Sequence, residues 1–159
     1  MAVIEIQKIT EILVPDNRLM GLDLGSKTIG IAISDLSLMI SSPLKTIRRT
    51  KFSNDAATLE TLIDEQQVGA LILGLPINMN GIEGPRCKST RQFATNFLKR
   101  RDIPISFWDE RLSTAAVQRM LIDEMDITRK RRAEIVDKAA ATYILQGALD
   151  ALQSICDVK

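Results

Sequence analysis

The chain has 159 residues, 21 Lys and Arg against 20 Asp and Glu, a net charge of +1, and no histidine. That length suits one domain, and 45% hydrophobic with 26% charged residues excludes a disordered chain; the balanced charge leaves only local patches to attract nucleic acid. Without histidine, a Ser-His-Asp or Cys-His nucleophile and a His-ligated zinc site are excluded, so acid–base or metal chemistry falls to carboxylates, Lys, Tyr, Cys or water.

Residues 1–17 read as an N-terminal leader. Ile4, Ile9, Ile12 and Leu13 are spaced for a weak amphipathic helix that Pro15 ends, a packing arm or a frayed tail. Residues 18–159 read as a single domain. Leu19 to Leu24, Ile29 to Ser34 and Met39 to Ile47 are β-like runs close enough together for a meander, with Pro43 suggesting an edge strand. Ser53 can cap a helix whose apolar side is Ala56, Leu59, Leu62 and Ile63. Val68 to Leu75 is continuously apolar, as a strand buried on both faces is. Pro85 is a good first helical residue for a helix ending near Arg101. Ile103 to Trp108 predicts a fifth strand, Ser113 or Thr114 a helix to about Ile122, and Ala133 to Leu152 a long last helix after a charged loop. The order β-β-β-α-β-α-β-α-α predicts an α/β fold: a five-stranded mixed sheet, a three-strand meander and then parallel strands, flanked by helices.

Cys87 and Cys156 are too few for a disulfide scaffold and have no CxxC spacing, which suits a reducing cytosol. Glu5, Lys8 and Glu11 interrupt any signal-peptide core. The clean apolar run Val68 to Ile77 is far short of the ~20 residues a membrane helix needs. The expected location is therefore the cytoplasm, with no membrane partner.

Asp23 is the most informative residue. A carboxylate inside an apolar strand is costly unless paired or metal-bound, although it could also cap the turn that Gly25 allows. Glu110 follows the fifth strand directly, where sites gather in α/β sheets. Asp109 fits a surface ion pair with Arg111 better, since alternation puts it on the opposite face. Asp137 precedes the alanines of the last helix and reads either as a salt-bridge partner of Lys138 or Arg131 or as a third acid of a cluster. Three such acids would repel unless cations neutralised them, and oxygen ligands suit Mg²⁺ or Mn²⁺.

Basic residues stand at two helix starts, where the helix dipole favours anions instead. Arg86 and Lys88, with Arg91, follow Pro85; Arg129, Lys130, Arg131 and Arg132 precede the last helix. A bound polyanion would account for both groups, and simple solubility is the alternative. Asn78, Asn80 and Gly81 form a polar loop that is either an ordinary turn or a substrate loop. With only 4% aromatic residues, base stacking is not the expected mode of binding.

Four segments together resemble the YqgF family, whose members are described as pre-16S ribosomal RNA nucleases and, earlier, as Holliday junction resolvases. Gly21 to Asp35 resembles its opening motif. Gly74 to Gly81 with Glu83-Gly84-Pro85, Asp109-Glu110-Arg111-Leu112-Ser113-Thr114, and Val136-Asp137-Lys138-Ala139-Ala140 resemble the other three. The resemblance spans about residues 18–152. It implies a ribonuclease H-like fold, catalytic and metal-holding roles for Asp23, Glu110 and Asp137, and a nucleic-acid substrate, either precursor rRNA processed at its 5′ end or branched DNA. Lys27, Asn78, Arg86, Lys88, Arg111 and Arg129 to Arg132 are the expected substrate contacts. A junction resolvase would act as a homodimer, whereas an RNA nuclease could be a monomer. A non-enzymatic assembly factor and an ATP-binding protein are the competing classes; a single domain of this length cannot supply the two lobes that the second requires.

Overall fold

The computed structural model describes residues 3–78, 80–112 and 129–158, with side chains of the last helix described over 139–154. The sheet is built from β1 (Arg18–Leu24), β2 (Thr28–Ser34), β3 (Ser41–Arg48), β4 (Val68–Leu75) and β5 (Ile105–Asp109), in the order β3-β2-β1-β4-β5. The first three strands pair antiparallel, and β4 joins β1 and β5 joins β4 in parallel. This is the expected meander followed by parallel crossovers. Pro43 lies on β3, at the sheet's edge, where its missing N–H breaks no central ladder.

A short arm, α1 (Ile9–Ile12) with a preceding 3-10 turn, leads into β1. The arm is docked: the Ile4 amide donates to the Ile105 carbonyl at 2.9 Å, and Ile9 is fully buried. The helices α2 (Phe52–Gln66) and α3 (Pro85–Arg100) cover one face of the sheet, packing Leu59, Ile63, Phe93 and Phe97 onto Met20, Leu22, Ile29, Ile31, Leu71 and Leu73. The last helix, α4 (Arg129–Val158), covers the other face with Ala140, Ala141, Ile144, Leu145, Ala148, Leu149 and Leu152 against Leu19, Ala32, Ala70, Ile72 and Trp108.

Small residues bring α4 close. A Cβ on Gly21 would fall 2.7 Å from the Leu145 Cβ and 3.1 Å from the Ala141 carbonyl oxygen, and one on Gly147 would touch the Trp108 indole at 3.0 Å. Trp108 is therefore core, as its sequence context suggests.

Several boundaries differ from expectation, among them the start of β3, at Ser41 instead of Met39. The helix α4 starts at Arg129, so the four basic residues form its first turn instead of preceding it; Arg and Lys are good helix formers, and apolar spacing is blind to them. Ser53 lies inside α2 and does not cap it. Asp55, buried one turn in, accepts the Thr50 amide at 3.0 Å instead. The strand β5 begins at Ile105 because Pro104 has no N–H to give the ladder, although its carbonyl accepts the Leu71 amide at 2.9 Å. The helix expected near 113–122 lies outside the described residues.

Candidate active site

Strand alternation sets the site. Met20, Leu22 and Leu24 point into the α2/α3 layer, which leaves Leu19, Gly21 and Asp23 facing α4. Asp23 is 1% exposed and stands opposite Gly30 in β2. One step beyond the Leu22–Leu73 pair, its neighbour in β4 is Gly74. Asp23 is thus flanked on both sides by strand residues without side chains.

Glu110, the residue after β5, is 6% exposed and leans back over β4: its Oε1 lies 2.9 Å from where a Cβ on Gly74 would stand. Adjacent strands are about 4.8 Å apart, so Asp23 and Glu110 border the same bare floor at the carboxyl ends of β1, β4 and β5. The structure brings these two acids together. Asp109 takes the other role expected of it: its carboxylate accepts the Arg111 Nη2 at 2.7 Å and Nε at 3.0 Å, and the Arg111 amide at 2.9 Å. The guanidinium holds the Asp109 carboxyl below its ordinary pKa.

Asp137 lies in α4 one turn before Ala141, the residue whose carbonyl touches Gly21, and its side chain falls outside the described ones. The side chains of Arg129, Lys130, Arg131 and Arg132 do likewise. Among the described residues, no three acids, cysteines or histidines are grouped to hold a metal. The pair that is described fits a hard divalent cation in its chemistry: both donors are carboxylates, and both are buried.

The other expected contacts ring this end of the sheet. Lys27 is exposed in the β1–β2 turn, and Lys88 is exposed in the first turn of α3. Arg86 is exposed and donates its Nη2 to the Leu24 carbonyl at 3.4 Å. Asn78 is exposed in a loop closed by the Gly81 amide on its carbonyl at 2.8 Å, with Gly81 at a φ of +85° that favours glycine. Arg111 is not loose: besides Asp109, its Nη1 is 3.7 Å from the Cβ position of Gly81, so the two loops abut. Arg91, a weaker candidate, is bound by Glu83. Cys87 is fully buried, and burial pushes its thiol pKa up, so it is inert here.

Sequence reasoning missed two features. Glycines inside the apolar strands β2 and β4, beside a carboxylate, were the available signal for the floor. Arg49 carried no such signal: its Nη1 donates to the Gly25 carbonyl at 2.7 Å and its guanidinium lies 5.9 Å from the Phe93 ring centroid. Among the described residues, no helix is long and apolar enough to cross a membrane.

Comparison with known proteins agrees with this architecture. The chain is 63% identical over 135 residues to a protein of Paramagnetospirillum magneticum named "Putative pre-16S rRNA nuclease", covering 85% of this chain and 86% of the relative. It is 53% identical over 156 residues to a protein of the same name from Phenylobacterium zucineum, covering 98% of this chain and 100% of the relative. Among solved structures, RuvC of T. thermophilus in complex with a Holliday junction substrate superposes with a TM-score of 0.54 at 9% identity, over 87% of this chain and 97% of that one. The yeast mitochondrial Holliday junction resolvase Ydc2 gives 0.53 at 13% identity, over 96% and 86%. At such identities these two share the ribonuclease H-like fold alone. Residues 17–151 match the family described as RuvX, Holliday junction resolvase, and on that span and those relatives the chain belongs to this family, the one its motifs resemble.

Proposed function

We propose that this chain is a divalent-metal-dependent nuclease that hydrolyses phosphodiester bonds in the 5′ region of pre-16S rRNA, in the cytoplasm. The observation that carries the reading is the pair of buried carboxylates, Asp23 and Glu110, on either side of Gly74. Asp137 is the third acid: helical periodicity continues the stripe of Ala141, Ile144 and Ala148 toward the end of the sheet where Asp23 stands. These three residues would hold Mg²⁺ or Mn²⁺, which when bound supplies Lewis-acid activation of water and of the phosphodiester oxygens. The relatives' names support the RNA substrate.

The protein's own groups do the rest. Asp23 is fixed by the strand and Glu110 by the turn after β5, so neither needs to reorganise when substrate arrives. Lys27, Asn78, Arg86 and Lys88 surround the carboxyl end of β1, and Arg129 to Arg132 start α4; together they bind the phosphate backbone. Arg111, pinned by Asp109, steadies the loop that carries Asn78. Residues 18–159 form the nuclease domain, and residues 1–17 act as a docked arm.

The family description supports a second substrate, a four-way DNA junction, whose symmetric cleavage would require a homodimer. Purified protein is incubated with Mg²⁺ or Mn²⁺ and with precursor rRNA, unrelated single-stranded RNA or a four-way junction, alongside Asp23→Asn and Glu110→Gln. Metal-dependent cleavage of precursor rRNA that both variants lose is expected. Cleavage without metal, or undiminished in Asp23→Asn, overturns the mechanism; binding without cleavage favours the assembly factor; preferential junction cleavage by a dimer favours the resolvase.

A further inference from the structure

Among the described side chains outside the β1–β2 corner, arginine charge is matched except at Arg18, which donates to the Gln66 carbonyl at 2.9 Å. Arg91, Arg100, Arg101 and Arg111 are each paired with a carboxylate, of Glu83, Glu60, Asp64 and Asp109. Around the β1–β2 turn it is not. Arg49 and Arg86 direct their guanidinium groups at consecutive backbone carbonyls, those of Gly25 and Leu24, at 2.7 and 3.4 Å. The Arg49 amide donates to the Lys27 carbonyl at 2.8 Å, and Arg48 sits opposite Thr28 in the sheet. Lys51 precedes α2, and Lys88 follows Arg86 on α3. Lys27, Arg48, Lys51, Arg86 and Lys88 are exposed. None of these, nor Arg49, forms an ion pair with a described acid.

Carbonyls orient a guanidinium without cancelling its charge. Of the nearby acids, Asp23 and Glu110 belong to the site, Glu83 is taken by Arg91, and Asp55, buried, by Thr50. Six like charges gathered at one end of the molecule repel, and the fold gains nothing from that concentration. The start of α3 adds to it, with no acid in its first turn and no side-chain cap at Gly84. Among the described residues the aromatic side chains are all buried or half-buried, so no ring is offered for base stacking. A partner here is recognised by its charge.

We propose that Lys27, Arg48, Arg49, Lys51, Arg86 and Lys88 form one phosphate track that leads a nucleic-acid strand across the β3–α2 corner to Asp23, with Arg49 as its fixed point. The track rests on the nuclease reading only for the identity of the strand. It adds Arg48, Arg49 and Lys51 to the substrate surface and places the strand's path on the β3 side of the sheet. Binding there is insensitive to base sequence and sensitive to salt.

The test is binding without divalent cation, by fluorescence anisotropy of a labelled single-stranded RNA at several salt concentrations. Each lost phosphate contact lowers the slope of log affinity against log salt by about 0.7, or ~5-fold in affinity at about 0.1 M salt. The Arg48→Gln/Lys51→Gln double variant is therefore expected to lose about 1.4 in slope and roughly 25-fold in affinity. Both residues are exposed, so an unchanged melting temperature verifies the fold. The charge-matched control is Lys8→Gln/Lys99→Gln, both exposed, at the opposite end of the sheet, and it is expected to bind as the parent does. Equal losses in the two pairs, or no loss in the first, overturn the track. If no substrate is cleaved and the first pair still behaves as stated, the nuclease reading fails and the track stands.

Discussion

The Oε1 of Glu110 lies 2.9 Å from the point a Cβ on Gly74 would occupy, so the carboxylate of one strand end rests over the bare backbone of its neighbour. A methyl there would also meet the Ile144 Cδ1 at 2.4 Å. Both obstacles are the ends of flexible side chains and can move. Gly74→Ala is thus expected to fold with a loss of about 1–3 kcal/mol, but with the Glu110 carboxylate displaced and cleavage reduced by at least about 10-fold. Chemical denaturation and cleavage rates of the same preparation check it; full activity would show that the Glu110 position is not critical.

Gly21→Ala is expected to behave differently. Its added methyl would strike the Leu145 Cβ at 2.7 Å and the Ala141 carbonyl at 3.1 Å, parts of the structure that cannot swing away. The helix α4 itself must shift, at about 3 kcal/mol or more, and Asp137 shifts with it. Thermal unfolding should show a larger drop for Gly21→Ala than for Gly74→Ala.

A cation held by Asp23 and Glu110 would bind the folded state and not the unfolded one, so it should stabilise the fold. At a concentration 100 times its dissociation constant a ligand adds about 2.7 kcal/mol, which for a chain of this size raises Tm by about 5–11 °C. Asp23→Asn should abolish that rise, while the parent keeps it. A calorimetric scan with Mg²⁺ or Mn²⁺ and then with chelator measures both. An equal rise in the variant would place the stabilising cation elsewhere.

The Asp109–Arg111 pair sets a pH dependence. Arg111 depresses the Asp109 pKa in the folded state, so the pair's contribution is fully present above the unfolded carboxyl value of about 3.9. It is lost as pH falls through the lower folded value. Asp109→Asn should therefore lower stability at neutral pH and flatten its decline below about pH 4. Urea midpoints across that range decide it; parallel curves for parent and variant would mean the pair contributes nothing.

Much of this architecture is legible in the residues themselves. The run Val68–Leu75 is apolar at almost every position because both sheet faces are covered, and its bounds agree with the sequence reading. Pro85 opens α3 and Pro43 sits on the edge strand, each for its missing N–H. Asp23 stands out because apolar strands rarely carry acids, and Glu110 because it follows a strand end, where sites gather. What was not legible has no local pattern. Arg129 to Arg132 lack apolar spacing, so periodicity places the start of α4 after them. Asp55 ties Thr50 to the first turn of α2 through a buried carboxylate, a contact that propensity does not signal. Arg49 matters only because β3 ends beside Gly25, a juxtaposition that exists after folding and not before.

Gln146 is one more such tertiary contact, and it links α4 to the meander. Its Oε1 accepts the Ser41 amide at 2.8 Å, and its Nε2 donates to the Met39 carbonyl at 3.0 Å and the Asp150 carboxylate at 3.0 Å. Gln153 donates to the Leu38 carbonyl nearby at 3.3 Å, so the β2–β3 loop is fastened to the helix at two points. Gln146→Leu keeps the side chain's size and removes the first fastening. The freed Met39 carbonyl lies on an exposed residue, so that lost bond costs about 0.5–1.5 kcal/mol, whereas Ser41 is buried and its freed amide costs about 1–3 kcal/mol. The expected outcome is a lower denaturation midpoint with an unchanged m-value, and faster amide exchange at Ser41 than in the β1–β2 ladder that carries Asp23. Uniformly faster exchange along both hairpins would mean instead that the loop and the strand that carries Asp23 open as one unit.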